Sequence, residues 1–357
     1  MSTSNWMIYG ANGYTGRLVA EEAVRLGMRP TLAGRRQDTI EQIGRELDCP
    51  TRVFDLRGRH EIEQALTDCV AVLNCAGPFS TTAAVMMEAC LAGGTHYLDV
   101  TGEIDVIEAA AARDERARSA GVVLMPAVGF DVVPTDCLAA TLSKKLPTAT
   151  YLQMAWLSTG RASPGTMKTT IESMPKGGRA RIDGHLVRVP VAWKSREIPF
   201  RGGNRWGMTI PWGDVSSAYH STGIPNIEVY MGMPPEAIER ARKGRRWLWL
   251  TALPPVQWWL KRRIAQTVRG PSAEERSRAG ISLWGRVSDE SGNRVDATME
   301  IPDGYTMTMH AAVAATQRVA DTPPPAGFQT PSRAFGEQFV LELPGVDLQI
   351  GDGPTSG

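Results

Sequence analysis

IYGANGYTG, residues 8–16, sets three glycines, Gly10, Gly13 and Gly16, directly after a short apolar run. WMIYG, residues 6–10, reads as a buried strand. GRLVAEEAVRLGM after the glycines reads as a helix whose Leu18, Val19, Ala23 and Leu26 share one face. A turn of this kind can bring backbone against a pyrophosphate. Gly10 lets the chain turn tightly, Gly13 lets the backbone approach, and Gly16 lets strand and helix pack closely, with the phosphates at the helix start. Asn12, Tyr14 and Thr15 complete the loop. The spacing is G-x-x-G-x-x-G rather than the commoner G-x-G-x-x-G, so the loop draws its weight from the context that follows.

That context is regular. RPTLAGRR reads as a second strand, and QDTIEQIGREL as a helix capped by Asp38 or Thr39. TRVFDL, VAVLNCAG, THYLDVTG and VVLMPAVG read as strands three to six. Between them stand the helices EIEQALT, TTAAVMMEACLAGG and a single long DVIEAAAARDERARSAG. Six alternations of strand and helix predict an α/β fold with a doubly wound parallel sheet over residues 1–130. At the end of the second strand, where NAD sites usually carry an acid, stand Arg35 and Arg36. Two guanidinium groups suit a 2′-phosphate, so NADP(H) is the expected cofactor. Asp55 closes the third strand, either beside the adenine or as a turn acid. Ala76, Gly77, Pro78 and Phe79 follow the fourth strand, where the ribose–nicotinamide half would lie. Gly129 and Phe130 follow the sixth. Asp131 serves either as a site acid or as a helix cap, and only one of His96 and Tyr97 should face the crevice.

The chain has 357 residues, 42% of them hydrophobic, enough for two cores. A formal charge of +1 gives no general case for nucleic acid. The five cysteines and five histidines follow no metal or redox spacing. No leader or membrane span is visible, which points to a cytoplasmic protein. Beyond residue 130 the pattern changes to strands, turns and short helices, predicting a second α+β domain at 131–325 on an antiparallel or mixed sheet. Residues 326–357 are expected to pack back on the body. Residues 211–226, PWGDVSSAYHSTGIPN, read as a polar loop. Tyr219 and His220 are its leading proton-donor candidates, followed by Lys168 and Tyr97. Residues 240–263 hold eight basic residues, four tryptophans and no acid. This insertion reads as a peripheral contact with a lipid surface, a lid over an apolar tunnel, or helices docked on the core.

GANGYTG, AGRR, NCAGPF, YLDVTGE and GFDVVPTD together resemble the saccharopine dehydrogenase-like oxidoreductases, most nearly their bacterial trans-acting enoyl reductase branch. The resemblance continues through residues 211–230, GFQTPSRAFG and FVLELPGV. It implies a Rossmann domain joined to an α+β substrate and dimerisation domain, with substrate received between them. Gly10, Gly13 and Gly16 match the family's phosphate loop, and Arg35 its basic position. The resulting expectation is an NADPH-dependent reductase of an activated C=C bond in a lipid-like or polyketide-like substrate, acting as a homodimer without nucleic acid. A saccharopine-type dehydrogenase acting on an amino-acid C–N bond, and a non-catalytic NADP-binding module, are the alternatives.

Overall fold

Trp6–Tyr9 (β1) is apolar on both faces of its pleat and fully buried. Such a strand needs cover on both sides, which a parallel sheet wrapped by helices supplies. The computed structural model describes residues 5–161, 163–351 and 355–356. It follows β1 with α1 (Tyr14–Arg25), β2 (Thr31–Gly34), α2 (Gln37–Leu47), β3 (Thr51–Val53), α3 (Arg59–Leu66), β4 (Ala71–Asn74), α4 (Phe79–Gly93), β5 (His96–Asp99), α5 (Ile104–Ala111), α6 (Asp114–Ala120) and β6 (Val123–Met125). All strand pairs are parallel, in the order β3-β2-β1-β4-β5-β6, with Gly327–Phe328 added beside β6. The order reverses at β1, where Tyr9 faces Ala33 on one side and Asn74 on the other. Ligands of doubly wound sheets bind at this switch point, outside the carboxyl ends of the strands.

Three local expectations are corrected. The single long helix after β5 is two, α5 and α6. Arg113 breaks it by turning its guanidinium to Glu88 Oε1 (2.9 Å) and to the Ala109 carbonyl (2.7 Å), and Asp114 and Glu115 then favour a fresh N-terminus. Neither Asp38 nor Thr39 caps α2: its N-cap is Arg36, with no side-chain cap, and Asp38 lies in the first turn. Leu26 sits past the end of α1 and is exposed rather than on the buried face.

The chain divides into two compact units, one of residues up to Val133 with Tyr305–Gly336, the other of Pro134–Gly304 with Glu337–Gly357. The helix Gly304–Asp321, expected within the second domain, lies largely in the first unit. It buries Met307, Ala311, Ala312, Val313, Ala315 and Val319. Its Gln317 Oε1 accepts from Trp6 Nε1 (3.1 Å), and His310 Nε2 stands 3.6 Å from the buried Glu22. The expected C-terminal segment at 326–357 is likewise shared between the units, because Gly327–Phe328 finishes the parallel sheet and Asp347–Ile350 pairs with Asn293–Pro302.

The second unit is built on a ten-stranded mixed sheet. Tyr151–Ser158 and Asn226–Gly232 run parallel at its centre, and the other pairs are antiparallel. The turn joining Gly280–Ser288 to Asn293–Pro302 is organised by Asp289 Oδ1, which accepts from the amides of Ser291 and Asn293, both at 3.0 Å. The polar stretch read as a loop at 211–226 contains a helix, Asp214–Thr222. Gly223, at φ +74°, closes it, and Ser216 and Ser217 face inward.

Candidate functional site

The glycine loop is shaped by three different constraints. Gly10 has φ +84°, and a Cβ there would stand 2.9 Å from the Ala76 amide nitrogen. A Cβ on Gly16 would lie 2.3 Å from the Gly10 carbonyl oxygen, so α1 rests directly on the end of β1. Gly13 has an ordinary φ of −82° and is exposed, and its Cβ would meet only the Gly10 oxygen, at 3.2 Å. It is the N-cap of α1, with no side-chain cap and no acid in the first turn. The positive end of the helix is therefore left without a negative partner from the chain itself, as a pyrophosphate site requires. Gly16→Ala is expected to cost about 1–3 kcal/mol in a thermal melt. Gly13→Ala should leave the melt nearly unchanged and weaken NADPH about tenfold or more in calorimetry, because its Cβ projects toward the ligand rather than the core.

Asn12 packs against Gly34, whose Cβ would stand 3.0 Å from Asn12 Oδ1. Tyr14 meets Tyr305 edge to face, with ring centroids 5.0 Å apart. Tyr305 was not singled out from sequence, because its helix had been placed in the other domain. Thr15 is partly exposed in the first turn of α1.

Arg35 and Arg36 are exposed at the carboxyl end of β2, and no carboxylate among the described residues lies within 4.0 Å of either. Other arginines of this unit are engaged: Arg17 with Glu21 and Glu46, Arg25 with Glu22, Arg52 with Asp68, Arg113 and Arg116 with Glu88. Two adjacent guanidinium groups without acids, beside an uncapped helix, fit the 2′-phosphate of NADP(H). Asp55 is occupied as a turn acid: its Oδ1 accepts from the Arg57 amide (2.8 Å) and its Oδ2 lies 3.6 Å from Arg57 Nε.

Past β4, Ala76, Pro78 and Phe79 are partly exposed and Gly77 is exposed. Asn74 Oδ1 accepts from the Ala76 amide (3.0 Å), and Thr82 Oγ1 donates to the Ala76 carbonyl (2.7 Å). Glu103 caps α4, its two oxygens accepting from the amides of Phe79 and Ser80 at 3.0 Å each. Beneath this edge runs a buried chain. Asn74 Nδ2 donates to Tyr97 Oη (3.4 Å), which donates to Asp99 Oδ2 (2.7 Å). Asp99 Oδ1 accepts from the amides of Thr101 (2.9 Å) and Ala127 (2.8 Å). Burial raises the Asp99 carboxyl to about 6 against the pull of these donors. The same acceptors hold Ala127 at φ +63°, a conformation that costs a non-glycine residue about 1–2 kcal/mol. Tyr97 has no exposed surface, so it is a framework residue and not a donor to a ligand. His96 is partly buried, and its Nδ1 accepts from the Val123 amide (3.1 Å).

After β6, the Phe130 amide donates to Thr308 Oγ1 (3.0 Å), and a Cβ on Gly129 would meet Thr308 Cγ2 at 3.0 Å. Thr308 is a second site-edge residue hidden from sequence reading. Asp131 lies against Gly102, where an added Cβ would stand 2.4 Å from its Oδ2. Among the described residues no amide of Val133–Lys145 donates to it, so it does not cap that helix. Burial alone pushes its carboxyl up to about 7, although part of its surface stays accessible. A carboxyl pushed toward neutrality by burial, at the carboxyl edge of a Rossmann sheet, is the strongest acid–base candidate in this unit.

The other donor candidates belong to the second unit. Tyr219 and His220 lie in the helix Asp214–Thr222, with ring centroids 5.7 Å apart. Arg181 stacks 4.1 Å over the Tyr219 ring while donating to the carbonyls of Val215 and Gly184, both at 2.9 Å. Thr135 Oγ1 donates to Asp214 at the head of that helix (2.7 Å). Lys168 is on the helix Pro164–Ser173, but its side chain lies outside the described residues. Arg201 is paired with Asp347, and Arg205 is exposed and donates to the Asn204 carbonyl (2.8 Å). Among the described residues, no group of three His, Cys, Asp or Glu side chains is placed to hold a metal ion.

Residues 6–125 match the family model for the saccharopine dehydrogenase NADP binding domain. The bovine saccharopine dehydrogenase-like oxidoreductase is 27% identical over 150 residues, covering 36% of this chain and 35% of that protein. The chain thus spans about a third of the length of the curated relatives it matches in this region. The trans-acting enoyl reductase of Mycobacterium bovis is 29% identical over 144 residues, again 36% of this chain and 33% of that one. The two alignments cover equal shares of the chain at similar identity, so they favour neither branch over the other. The lipid droplet localized protein of Caenorhabditis elegans aligns over 96% of both chains at 21% identity. Saccharopine dehydrogenase of Saccharomyces cerevisiae shares the fold, with a TM-score of 0.65 at 10% identity over 98% of this chain and all of that one. Residues 6–125 are a saccharopine dehydrogenase NADP binding domain, and at the level of that domain the chain belongs with the saccharopine-dehydrogenase-like oxidoreductases.

Proposed function

We propose that this protein is an NADP(H)-dependent oxidoreductase acting at a carbon–nitrogen bond of an amino-acid-like substrate. What supports this reading is Asp131, which lies against Gly102 at the carboxyl edge of the sheet and whose carboxyl burial pushes up to about 7. NADP(H), when bound, supplies or accepts the hydride. A substrate ammonium must give up one proton before hydride leaves its carbon, and a carboxylate beside it would take that proton; the iminium that results carries the positive charge. Reduction of an activated C=C bond makes the opposite demand, because negative charge develops on oxygen and must meet N–H or O–H donors. Four donors at this edge are committed elsewhere: Tyr97 to Asp99, Thr82 to the Ala76 carbonyl, and the amides of Phe79 and Ser80 to Glu103. The bovine relative's name, saccharopine dehydrogenase-like oxidoreductase, supports the same reading.

The second reading is reduction of a C=C bond in a lipid-like substrate, with Tyr219 or His220 as proton donor. The names of the Mycobacterium bovis and Caenorhabditis elegans relatives favour it, as do four tryptophans exposed at 247, 249, 258 and 259. A screen that follows nicotinamide absorbance distinguishes the two. Keto acids mixed with amino acids are expected to consume NADPH, and enoyl thioesters to leave it unchanged. Turnover of enoyl thioesters alone would reverse the assignment.

A further inference from the structure

The second unit carries a surface that hydride chemistry does not use. The helix Pro235–Gly244, the 3-10 stretch Arg245–Ala252 and the helix Pro254–Thr267 pack in succession, and the last two rest on Pro164–Ser173 and Met174–Lys176. Ile264 and Ile171 are buried, and Lys261 Nζ donates to Glu172 Oε1 (2.5 Å). The segment is thus anchored, yet its largest apolar side chains point outward. Trp247, Trp249, Trp258 and Trp259 are 52–64% exposed, and Leu253, Met167 and Met174 are exposed on the same packed elements. These are seven of the sixteen large apolar side chains exposed among the described residues, so the apolar surface is concentrated here.

The charge follows the same pattern. There is no Asp or Glu between Arg240 and Ser272. Among the described residues no carboxylate lies within 4.0 Å of Arg245, Arg246, Arg262 or Arg263. Arg262 and Arg263 instead stack over Trp258 and Trp259, at 5.3 and 5.4 Å from the ring centroids. Arginine beside tryptophan on an exposed amphipathic surface suits the boundary between anionic headgroups and acyl chains. A second copy meeting this face by a two-fold axis would set the same four positive charges against themselves. No helix among the described residues is long and apolar enough to cross a membrane, so the contact is with the surface.

We propose that residues 245–263 dock this protein on a bilayer bearing anionic headgroups. The test is sedimentation of the full-length protein with phosphatidylcholine vesicles, with or without phosphatidylglycerol, together with tryptophan quenching by brominated acyl chains. Expected results are binding at least about tenfold stronger to the anionic vesicles and quenching only on binding. Trp258→Ser with Trp259→Ser should reduce the quenching, leaving only that of Trp247 and Trp249, and weaken binding about tenfold or more. Arg245→Glu, Arg246→Glu, Arg262→Glu and Arg263→Glu together should remove the preference for anionic lipid. The thermal melt and the NADPH affinity should be unchanged in both variants, the melt showing that the second unit folds and the affinity keeping this test separate from the proposed reaction. No vesicle binding, equal binding by the variants, dimerisation lost with the tryptophans, or binding to an oligonucleotide in place of vesicles would each overturn the proposal.

Discussion

Alanine at both Arg35 and Arg36 is expected to weaken NADPH binding about 10²–10³-fold while changing NADH affinity by less than about threefold. Among the described residues the two guanidinium groups have no carboxylate partner, so their removal breaks no ion pair there and the first unit should melt as before. What is lost is the set of charge-assisted hydrogen bonds to a 2′-phosphate that NADH lacks. Calorimetric titration of both dinucleotides on both proteins measures the effect. Equal weakening of NADPH and NADH would place the arginines elsewhere than at that phosphate.

Asp131→Asn is expected to have opposite effects on rate and stability. If Asp131 is the acid–base group, kcat should fall about 10²–10⁴-fold. The folded carboxyl titrates at about 7 and the unfolded one near 3.8. Between those values the folded state binds more protons, so this residue's contribution to stability falls as pH rises, and its full penalty applies above about pH 7. Asparagine cannot ionise. The variant should therefore be more stable than the parent at about pH 8, by about 1–3 kcal/mol after allowing for the solvent that still reaches the group. Below about pH 4 the difference should vanish. Denaturant melts at the two pH values check this. A variant that is slower but equally stable at high pH would mean that the carboxyl is not desolvated as described.

The success of sequence reading in the first unit has a local cause. WMIY and AVLN are continuous apolar runs because their strands are covered on both faces, and each helix between strands carries its own periodic face. The glycine loop was legible for the same reason: Gly10, Gly13 and Gly16 answer to contacts within the loop, with Ala76 alone supplied from farther along the chain. Composition misled at Asp214–Thr222, where side chains that resemble a loop are buried on a helix. The clearer local sign was Gly223, a left-handed helix stop. At Tyr97, alternation distinguishes the two faces of the sheet, but whether the inward face meets a ligand or a core depends on Asn74 and Asp99.

Sequence alone determined the alternation of elements, the glycine loop and the exposed basic pair at the end of β2, because each rests on neighbours a few residues apart. Tertiary structure decided which unit owns Gly304–Asp321, since its partners include Trp6, 311 residues from Gln317. It also decided the burial of the Asp131 carboxyl, since that depends on its fit against Gly102 and on water excluded by surrounding atoms. Burial is a property of packing in three dimensions, and no local pattern of residue types encodes how much solvent a single carboxyl retains.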